Sequence, residues 1–398
     1  MGRFVNPDSS AFQVAINSKI YVDKTGLIEY TNGVLDTSDA YICNSRPRRF
    51  GKSYAANMLA AYYSKGADAE AIFSGLSIAK SPDFRKHLNK YDVIHIDIQW
   101  FLANCRDTEK LVAFITESVL DELRAMYPDV LNGEALTLSD GLSRVKNSTG
   151  QKFVIIIDEW DVLIRDESVN RKAVNEYINF LRATFKGVEP TKYIQLAYLT
   201  GILPIKRETT QSALNNFNEF TMLSPGELAP YVGFTEPEVA ELAAKYGRDF
   251  DKIKKWYDGY LLRDYQVYNP RAVVGVMQSG EFKSYWSETA SYETIVPLIN
   301  MNFDGLKKSV LEMLSGASVE VNAASFKNDI VDIRNKDDVM TYMIHLGYLG
   351  YDQDKRTAFV PNEEIRRELA IAVESRPWNE LLKFRQESES LLNSSCWY

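Results

Sequence analysis

The first 225 residues alternate short apolar segments, rich in β-branched side chains, with longer segments whose apolar residues recur at helical spacing. The apolar segments Ala40–Cys43, Val93–Ile98, Phe153–Ile157 and Tyr193–Thr200 predict strands. Phe153–Ile157 is apolar without a break, which is typical of a strand buried on both faces of a parallel sheet. Strands that alternate with helices in this way predict βαβ units. The fold class expected for this half is therefore α/β, with a parallel sheet flanked by helices.

The pattern changes after Pro225, where helical spacing dominates and predicts a helical domain over 226–300. Further along, the pattern indicates a helix, two short aromatic strands that flank the turn Asp352–Lys355, and a second helix. This order predicts a winged-helix-like α+β module over 301–375, although a small α+β cap has the same pattern. A polar, helix-like segment follows over 376–398.

The charge balance and the cysteine content exclude several classes of protein. The 398 residues include 46 Lys and Arg against 54 Asp and Glu, a net charge of −8, which disfavours a general nucleic-acid coat but allows a local phosphate site. The 3 cysteines lie far apart without a CxxC pair, and the 3 histidines are isolated, so neither a disulfide framework nor a zinc site is expected. No apolar stretch has the length of a membrane span or of a signal-peptide core. We expect a cytoplasmic protein without a membrane contact.

The segment RPRRFGKS, Arg46–Ser53, follows the first predicted strand and opens a helix, which is the context of a phosphate-binding loop. A loop that enters a helix points free backbone N–H groups and the positive end of the helix dipole at an anion. In this pattern Gly51 allows close approach to phosphate, Lys52 reaches the β and γ phosphates, and the Ser53 hydroxyl binds Mg²⁺. The expected nucleotide contacts are Arg48, Arg49, Phe50, Gly51, Lys52, Ser53 and Tyr54.

Two features of this loop leave alternatives open. The usual pattern GxxxxGK[ST] begins with glycine, whereas this chain has Arg46, and Gly-Lys-Ser also occurs by chance at helix starts. Arg48 and Arg49 either contact the nucleotide, as suits a bidentate guanidinium, or form salt bridges to the sheet edge or to Asp161.

The strand Phe153–Ile157 runs directly into the acidic segment DEWD, Asp158 to Asp161. In enzymes with such a loop the first carboxylate holds Mg²⁺, and a following Glu orients the attacking water. Because strand ends of a parallel sheet face the ligand crevice, Asp158 is expected near the Ser53 hydroxyl. The alternative is that the acidic residues cap the next helix. Both motifs in this order favour Glu159 as the base, with Ser53 and Asp158 as metal ligands.

Four other residues and one segment have both a functional and a structural interpretation. Thr200 ends the next strand, where related folds carry a polar sensor of the γ-phosphate, and a Thr-Gly turn is the alternative. Lys206 and Arg207 either neutralise phosphate charge or belong to a solvated loop, which we favour. Arg271 either senses nucleotide or follows a proline that starts a helix, which we also favour. The basic-aromatic segment KKWYDGY is interpreted as core with a solvated lysine face and not as a nucleic-acid surface.

Taken together, these segments resemble the bacterial AAA-ATPase-like family, which comprises predicted P-loop ATPases that often carry a C-terminal restriction-endonuclease-like domain. The shared segments are YVDKT, RPRRFGKS, IIIDEWD, LTGILPI, SALNNFNEF, KKWYDGYLL, VYNPRAV, HLGYLGY and VPNEEIRREL, so the resemblance spans about residues 10–370. The family's loop ordinarily begins with Arg, which agrees with Arg46. The resemblance implies a P-loop NTPase parallel sheet over 1–225, followed by a helical lid and the winged-helix-like module.

The resemblance also implies a function. It predicts ATP and Mg²⁺ as ligands and ATP hydrolysis to ADP and phosphate, with Lys52, Glu159 and Thr200 as catalytic residues. The C-terminal half would transmit the nucleotide state to a DNA or protein partner, in DNA metabolism or in defence against foreign DNA. A nucleotide-gated binding switch with negligible turnover is the alternative. Family members with the nuclease domain continue past the segment that corresponds to Glu380–Ser395, so for this chain we expect a truncated final helix and no nuclease chemistry.

Overall fold

The computed structural model describes residues 2–132, 136–166, 168–205, 214–286, 296–301, 303–327 and 333–373. The chain forms two compact units. The first contains the described residues of Met1–Thr235 and Leu262–Tyr265 together with Lys327, and the second contains those of Glu236–Leu261 and Gln266–Phe326 and those from Ile333 onward. Within the described ranges no helix is both long enough and apolar enough to cross a membrane.

The first unit is built on a parallel sheet. Its strands are β1 Tyr41–Ser45, β2 Asp92–Asp97, β3 Phe153–Asp158, β4 Ile194–Gly201 and β5 Asn218–Phe220. They lie in the order β2-β3-β4-β1-β5, and all neighbours pair in parallel. Every residue of β1 and β3 is buried, as the unbroken apolar pattern of the central strand predicts. The predicted α/β class with a parallel sheet is confirmed.

Helices flank this sheet. They are α1 Ser10–Ile16, α2 Gly26–Val34, α3 Lys52–Tyr63, α4 Glu70–Phe73, α5 Phe84–His87, α6 Ile98–Asn104, α7 Leu111–Met126, α8 Leu138–Thr149, α9 Val162–Arg165, α10 Arg171–Phe185 and α11 Val188–Tyr193. Caps encoded in the sequence set several ends: the Thr137 side chain accepts a hydrogen bond from the Asp140 N–H at the start of α8, and Gly150 ends that helix with a φ of 74°. The helix that matters most for the site is α3, which lies against β2, β3 and β4.

The N-terminal segment protects the edge strand β2. Val5 forms an antiparallel bridge with Ile94, and the Asn6 N–H donates to the Val93 carbonyl oxygen at 2.7 Å. The Glu122 carboxylate holds the same segment, because its Oε2 accepts from the Val5 N–H at 2.7 Å. An unpaired sheet edge invites pairing with another chain, and this segment occupies it.

The second unit combines helices with a small antiparallel sheet. Its helices are α12 Glu236–Tyr246, α13 Phe250–Tyr257, α14 Pro270–Ser279, α15 Leu306–Leu314, α16 Lys336–Leu346 and α17 Glu363–Val373. Strand β6 Phe234–Thr235 ends the long N-terminal segment of the first unit. It is followed along the chain by the short strands β7 Tyr260–Leu262, β8 Tyr265–Tyr268, β9 Val319–Glu320, β10 Gly350–Asp352 and β11 Thr357–Phe359. The last three form an antiparallel sheet in the order β10-β11-β9. The succession α16, the hairpin β10–β11 and α17 has the predicted order helix, hairpin, helix, which a winged-helix-like module and a small α+β cap share, so the winged-helix-like module stays a prediction.

The WYDGY segment forms part of the core of this unit. Trp256 and Tyr257 are buried, and the Tyr260 hydroxyl donates to the Gly347 carbonyl oxygen. Gly259 has a φ of 107°, and a Cβ at this position would overlap the carbonyl oxygen of Pro361. These contacts support the core interpretation of the basic-aromatic cluster.

The segment YNPR begins a helix, as the proline predicts. Pro270 is the first residue of α14, and the Asn269 side chain caps it by accepting from the Arg271 N–H at 2.9 Å. Asparagine before proline is therefore explained by the helix start.

A buried carboxyl group in α17 makes the stability of the second unit sensitive to pH. Glu364 Oε1 accepts from the N–H groups of Tyr285 and Trp286 at 2.7 and 3.1 Å. Burial is the largest influence and raises the pKa of Glu364 from 4.5 to about 7, the two N–H donors oppose it, and the nearby Glu368 carboxylate adds to the rise.

Replacing the Glu364 carboxyl group by an amide should make the protein more stable than the wild type at neutral pH. Because the folded pKa of Glu364 lies above its unfolded value, its stabilising contribution is complete below pH 4.5 and is lost as pH rises through about 7. The difference corresponds to on the order of 3 kcal/mol. Thermal unfolding from pH 4.5 to 8 should show Glu364→Gln gaining stability relative to the wild type as pH rises. Parallel curves of melting temperature against pH for the two proteins would contradict the raised pKa of Glu364. Glu312→Gln, on the surface of α15, is the control.

Candidate functional site

Two residues of the loop between β1 and α3 have positive φ angles. Gly51 immediately precedes α3 with a φ of 94°, and Arg49 also has a positive φ, of 69°. No side chain among the described residues caps the start of α3, so its first N–H groups are not used by a cap. A Cβ on Gly51 would enter open space, with no atom of the described chain within 4 Å. The backbone at Gly51 is therefore open to close approach by a phosphate group.

Lys52 places a buried cation beside this turn. Its side chain is 4% exposed, and its Nζ donates to the Pro47 carbonyl oxygen at 3.1 Å. The same Nζ lies 3.7 Å from Oε1 of Glu159. Burial lowers the pKa of Lys52, and the carboxylates of Glu159, Asp158 and, more weakly, Asp161 oppose that effect. The ammonium group thus faces acidic residues that come from the end of β3.

Ser53 and Asp158 meet across the site. The Ser53 hydroxyl lies near enough to the Asp158 carboxylate to act on its pKa, although more than 100 residues separate the two in sequence. Burial is the main reason why the pKa of Asp158 rises from 3.8 to about 6, while the Ser53 hydroxyl and Lys52 counteract it. A hydroxyl and a carboxylate oxygen form the kind of donor set that suits Mg²⁺. The role of these two residues as metal ligands stays a prediction.

Glu159 occupies a backbone conformation that few non-glycine residues adopt. Its φ is 51°, and the side chain is partly exposed, at 23%. Oε2 accepts from Nη2 of Arg165 at 2.7 Å, while Oε1 faces Lys52. The carboxylate therefore lies between two cations next to the turn that precedes α3.

Asp161, the last residue of DEWD, stabilises the turn after β4. Its side chain does not cap α9, which is the alternative considered from sequence. It is fully buried and accepts from the N–H groups of Ile202 and Leu203, the shortest contact being 2.8 Å. A Cβ on Gly201 would overlap Oδ1 of Asp161, which explains why glycine follows Thr200 in LTGILPI. The motifs DEWD and LTGILPI thus form one structural element.

Thr200 makes a contact inside the sheet. It is fully buried, and its Oγ1 donates to the Asn44 carbonyl oxygen of β1 at 3.0 Å. In the sheet register Thr200 lies beside both Asn44 and Asp158. The role of a γ-phosphate sensor stays a prediction for this residue.

The arginines of the loop separate into a buried and an exposed group. Arg46 is fully buried, and its Nη1 donates to the carbonyl oxygens of Ser45 and Phe220 at 2.9 and 3.1 Å. Burial lowers the pKa of Arg46 to about 10. The arginine that replaces the usual first glycine therefore fastens the loop to the edge strand β5.

The other predicted nucleotide contacts differ in exposure. Arg48 and Arg49 are exposed, as is Tyr54 at 56%, whereas Phe50 is buried and offers only its backbone to the site. The salt bridge to Asp161 considered for these arginines is made by Arg165, with 2.7 Å between Nε and Oδ2. The remaining basic candidates, Lys206 and Arg207, lie outside the described residues.

Arg165 is the residue of the site that sequence reasoning missed. It contacts both Glu159 and Asp161, at 2.7 Å each. The spacing of four residues between Asp161 and Arg165 is a signal that was present in the sequence, because residues four apart on a helix lie side by side.

Sequence comparison agrees with this geometry. The model of the AAA-ATPase-like family, described as "Predicted AAA-ATPase", matches residues 10–210, which contain the turn before α3, DEWD and the turn after β4. The chain belongs to this family. An AAA-ATPase-like protein is expected to bind a nucleotide at the loop that enters the helix after β1.

The relative and the two solved structures compared with this chain are at most 28% identical to it. An uncharacterized protein from the vnfD 5′ region of Azotobacter chroococcum mcd 1 is 28% identical over 350 residues, which cover 87% of this chain and 63% of that protein. Among solved structures, ORC2 of Aeropyrum pernix in ADPNP–ADP complexes is 11% identical with a TM-score of 0.34, covering 90% of this chain and 97% of its own. ORC1 of the same organism in complex with DNA is 10% identical with a TM-score of 0.31, covering 96% of this chain and 100% of its own. Neither of these two likenesses bears on the function of this chain.

Proposed function

We propose that this AAA-ATPase-like protein binds ATP with Mg²⁺ and hydrolyses it to ADP and phosphate. The observation that carries the proposal is the distance of 3.7 Å between Lys52 Nζ and Oε1 of Glu159, with the Ser53 hydroxyl near the Asp158 carboxylate. It brings the loop after β1 and the acidic end of β3 to one site, although β4 lies between the two strands. Ligands of open parallel sheets bind outside the carboxyl ends of the strands, which is where these residues lie.

Each residue has a role that follows from its contacts. Lys52 and the first N–H groups of α3 bind phosphate oxygens, and Ser53 and Asp158 hold the metal ion. Bound Mg²⁺ neutralises charge on the transferred phosphoryl group. Glu159 orients the attacking water and accepts its proton, and Thr200 reports on the γ-phosphate from the neighbouring strand. The exposed side chains of Arg48, Arg49 and Tyr54 flank the nucleotide, and Phe50 and Gly51 contribute their backbone.

Release of phosphate from ATP by the purified chain tests this function. We expect steady-state phosphate release that depends on Mg²⁺ and stops when EDTA removes the ion. Without Mg²⁺ the negative charge of the phosphate groups is not neutralised. Release at the same rate with and without Mg²⁺ would contradict the metal assignment. A complete lack of release at saturating Mg²⁺ would contradict the hydrolysis itself.

A nucleotide-gated switch with negligible turnover is the second candidate. The observation that favours it is that both oxygens of Glu159 face cations, Arg165 at 2.7 Å and Lys52 at 3.7 Å. A carboxylate that faces a cation on each side is less free to move toward a water molecule. Tight binding of ATP without phosphate release would support this candidate over the first.

The partner is proposed from the resemblance of the whole chain to ATPases that carry a nuclease domain. In this proposal the second unit transmits the nucleotide state to DNA or to a protein. Double-stranded DNA added to the phosphate-release assay tests the first option, and stimulation of turnover is the expected result. Unchanged turnover over a range of DNA and salt concentrations would leave a protein partner as the proposal.

A further inference from the structure

Arg165 joins the two acidic residues that flank Trp160. Its Nη2 lies 2.7 Å from Oε2 of Glu159, and its Nε lies 2.7 Å from Oδ2 of Asp161. The side chain of Arg165 is 9% exposed, and that of Asp161 is not exposed at all. Charge-assisted hydrogen bonds of this length in a buried setting fix the geometry of the groups that they join.

The two carboxylates differ in how firmly they are held. Asp161 also accepts from the N–H groups of Ile202 and Leu203 at the end of β4, so its position is set by the sheet. Glu159 has no comparable backbone donor at its carboxylate among the contacts described, and its other oxygen faces Lys52. Asp161 therefore anchors Arg165, and Arg165 in turn orients Glu159.

We propose that Arg165 is a positioning residue for ATP hydrolysis, which holds Oε2 of Glu159 so that Oε1 points toward the phosphate-binding lysine. The inference rests on the proposed function. Lys52 is the group that binds phosphate oxygens, and the oxygen of Glu159 that faces it lies on the side of the reacting phosphoryl group. Arginine suits this position because its planar fork reaches two carboxylates at once, which the single ammonium of lysine does not do in the same geometry.

Steady-state kinetics of Arg165→Gln test the inference. We expect kcat to fall by about tenfold to a hundredfold while KM for ATP changes less than about threefold, because the base is misplaced and the phosphate contacts remain. Arg165→Lys should recover part of the lost kcat. Arg124→Gln is the matched control, because Arg124 also bridges two carboxylates, Glu117 at 3.1 Å and Asp121 at 2.8 Å, on the surface of α7. It should keep the wild-type kcat.

A double-mutant cycle separates positioning from a purely structural role. With Glu159 already replaced by Gln, the further change Arg165→Gln should cause no additional loss of turnover, since the base that it orients is absent. An equal loss in both backgrounds would overturn the inference in favour of a structural role. Wild-type or higher kcat in Arg165→Gln would overturn it as well.

The outcomes also distinguish this inference from the proposed function. If the wild type turns over ATP and Arg165→Gln does so equally well, the inference fails and the ATPase stands. If the wild type shows no turnover, both fail. Where Arg165→Gln does not fold, Arg165→Lys carries the test, and a wild-type kcat in a folded Arg165→Lys protein would overturn the proposal.

Discussion

Lys52→Ala should lose ATP binding. In the wild type the Lys52 ammonium faces the carboxylates of Asp158, Glu159 and Asp161, and without it a phosphate group would meet their negative charge alone. Each charge-assisted hydrogen bond to phosphate contributes about 1.5–3 kcal/mol, and two of them correspond to a loss of affinity of about 10²–10⁴-fold. Titration of a fluorescent ATP analogue with Mg²⁺ measures the dissociation constant directly.

The control for this variant is Lys172→Ala. Lys172 pairs with Glu109 at 2.6 Å on the surface of the same unit, and its side chain is 73% exposed. It should bind ATP as the wild type does. Thermal unfolding without nucleotide checks that Lys52→Ala is folded, and addition of ATP and Mg²⁺ should raise the melting temperature of the wild type but not of this variant. If Lys52→Ala bound ATP with an affinity within about twofold of the wild type, Lys52 would not be a phosphate-binding residue.

Glu159→Gln should bind ATP and lose turnover. The amide has the shape of the carboxylate and still accepts a hydrogen bond from Arg165, so the site keeps its geometry. It does not accept a proton from water, and loss of a general base lowers kcat by about 10²–10⁴-fold. Phosphate release and nucleotide titration on the same preparation separate the two effects.

Glu189→Gln is a suitable control, because Glu189 lies on the surface with its side chain 70% exposed and pairs with Lys192. It should keep both affinity and kcat. If Glu159→Gln hydrolysed ATP at the wild-type rate, the base would be another group, and the contact with Arg165 would have only a structural meaning. Weaker binding together with unchanged kcat would instead place Glu159 among the nucleotide-binding residues.

The strands that carry the site were predictable because their patterns are local. Phe153–Ile157 is apolar throughout and ends in two carboxylates, so both the central strand and the acidic site follow from sequence order. The Gly-Lys-Ser start of α3 requires only a strand before it and a helix after it. The nearness of Ser53 to Asp158 follows from parallel topology, since the carboxyl ends of parallel strands lie at one edge.

The contacts that sequence reasoning could not predict are tertiary contacts. The loop pattern assigns no role to Arg46, because the burial of Arg46 against the Phe220 carbonyl oxygen depends on β5, a three-residue strand too short to show a pattern. The role of Asp161 depends on N–H groups some forty residues away at the end of β4. Only Arg165 had a local signal, its helical spacing from Asp161.

The central claim is that the turn after β1 and the acidic end of β3 form one Mg²⁺-dependent ATP-hydrolysing site. Phosphate release by the wild type, Lys52→Ala and Glu159→Gln, measured side by side with nucleotide binding, tests it most directly. The account predicts turnover in the wild type alone, with binding retained in Glu159→Gln and lost in Lys52→Ala. Turnover at the wild-type rate in either variant, or nucleotide binding unaffected by Lys52→Ala, would contradict it.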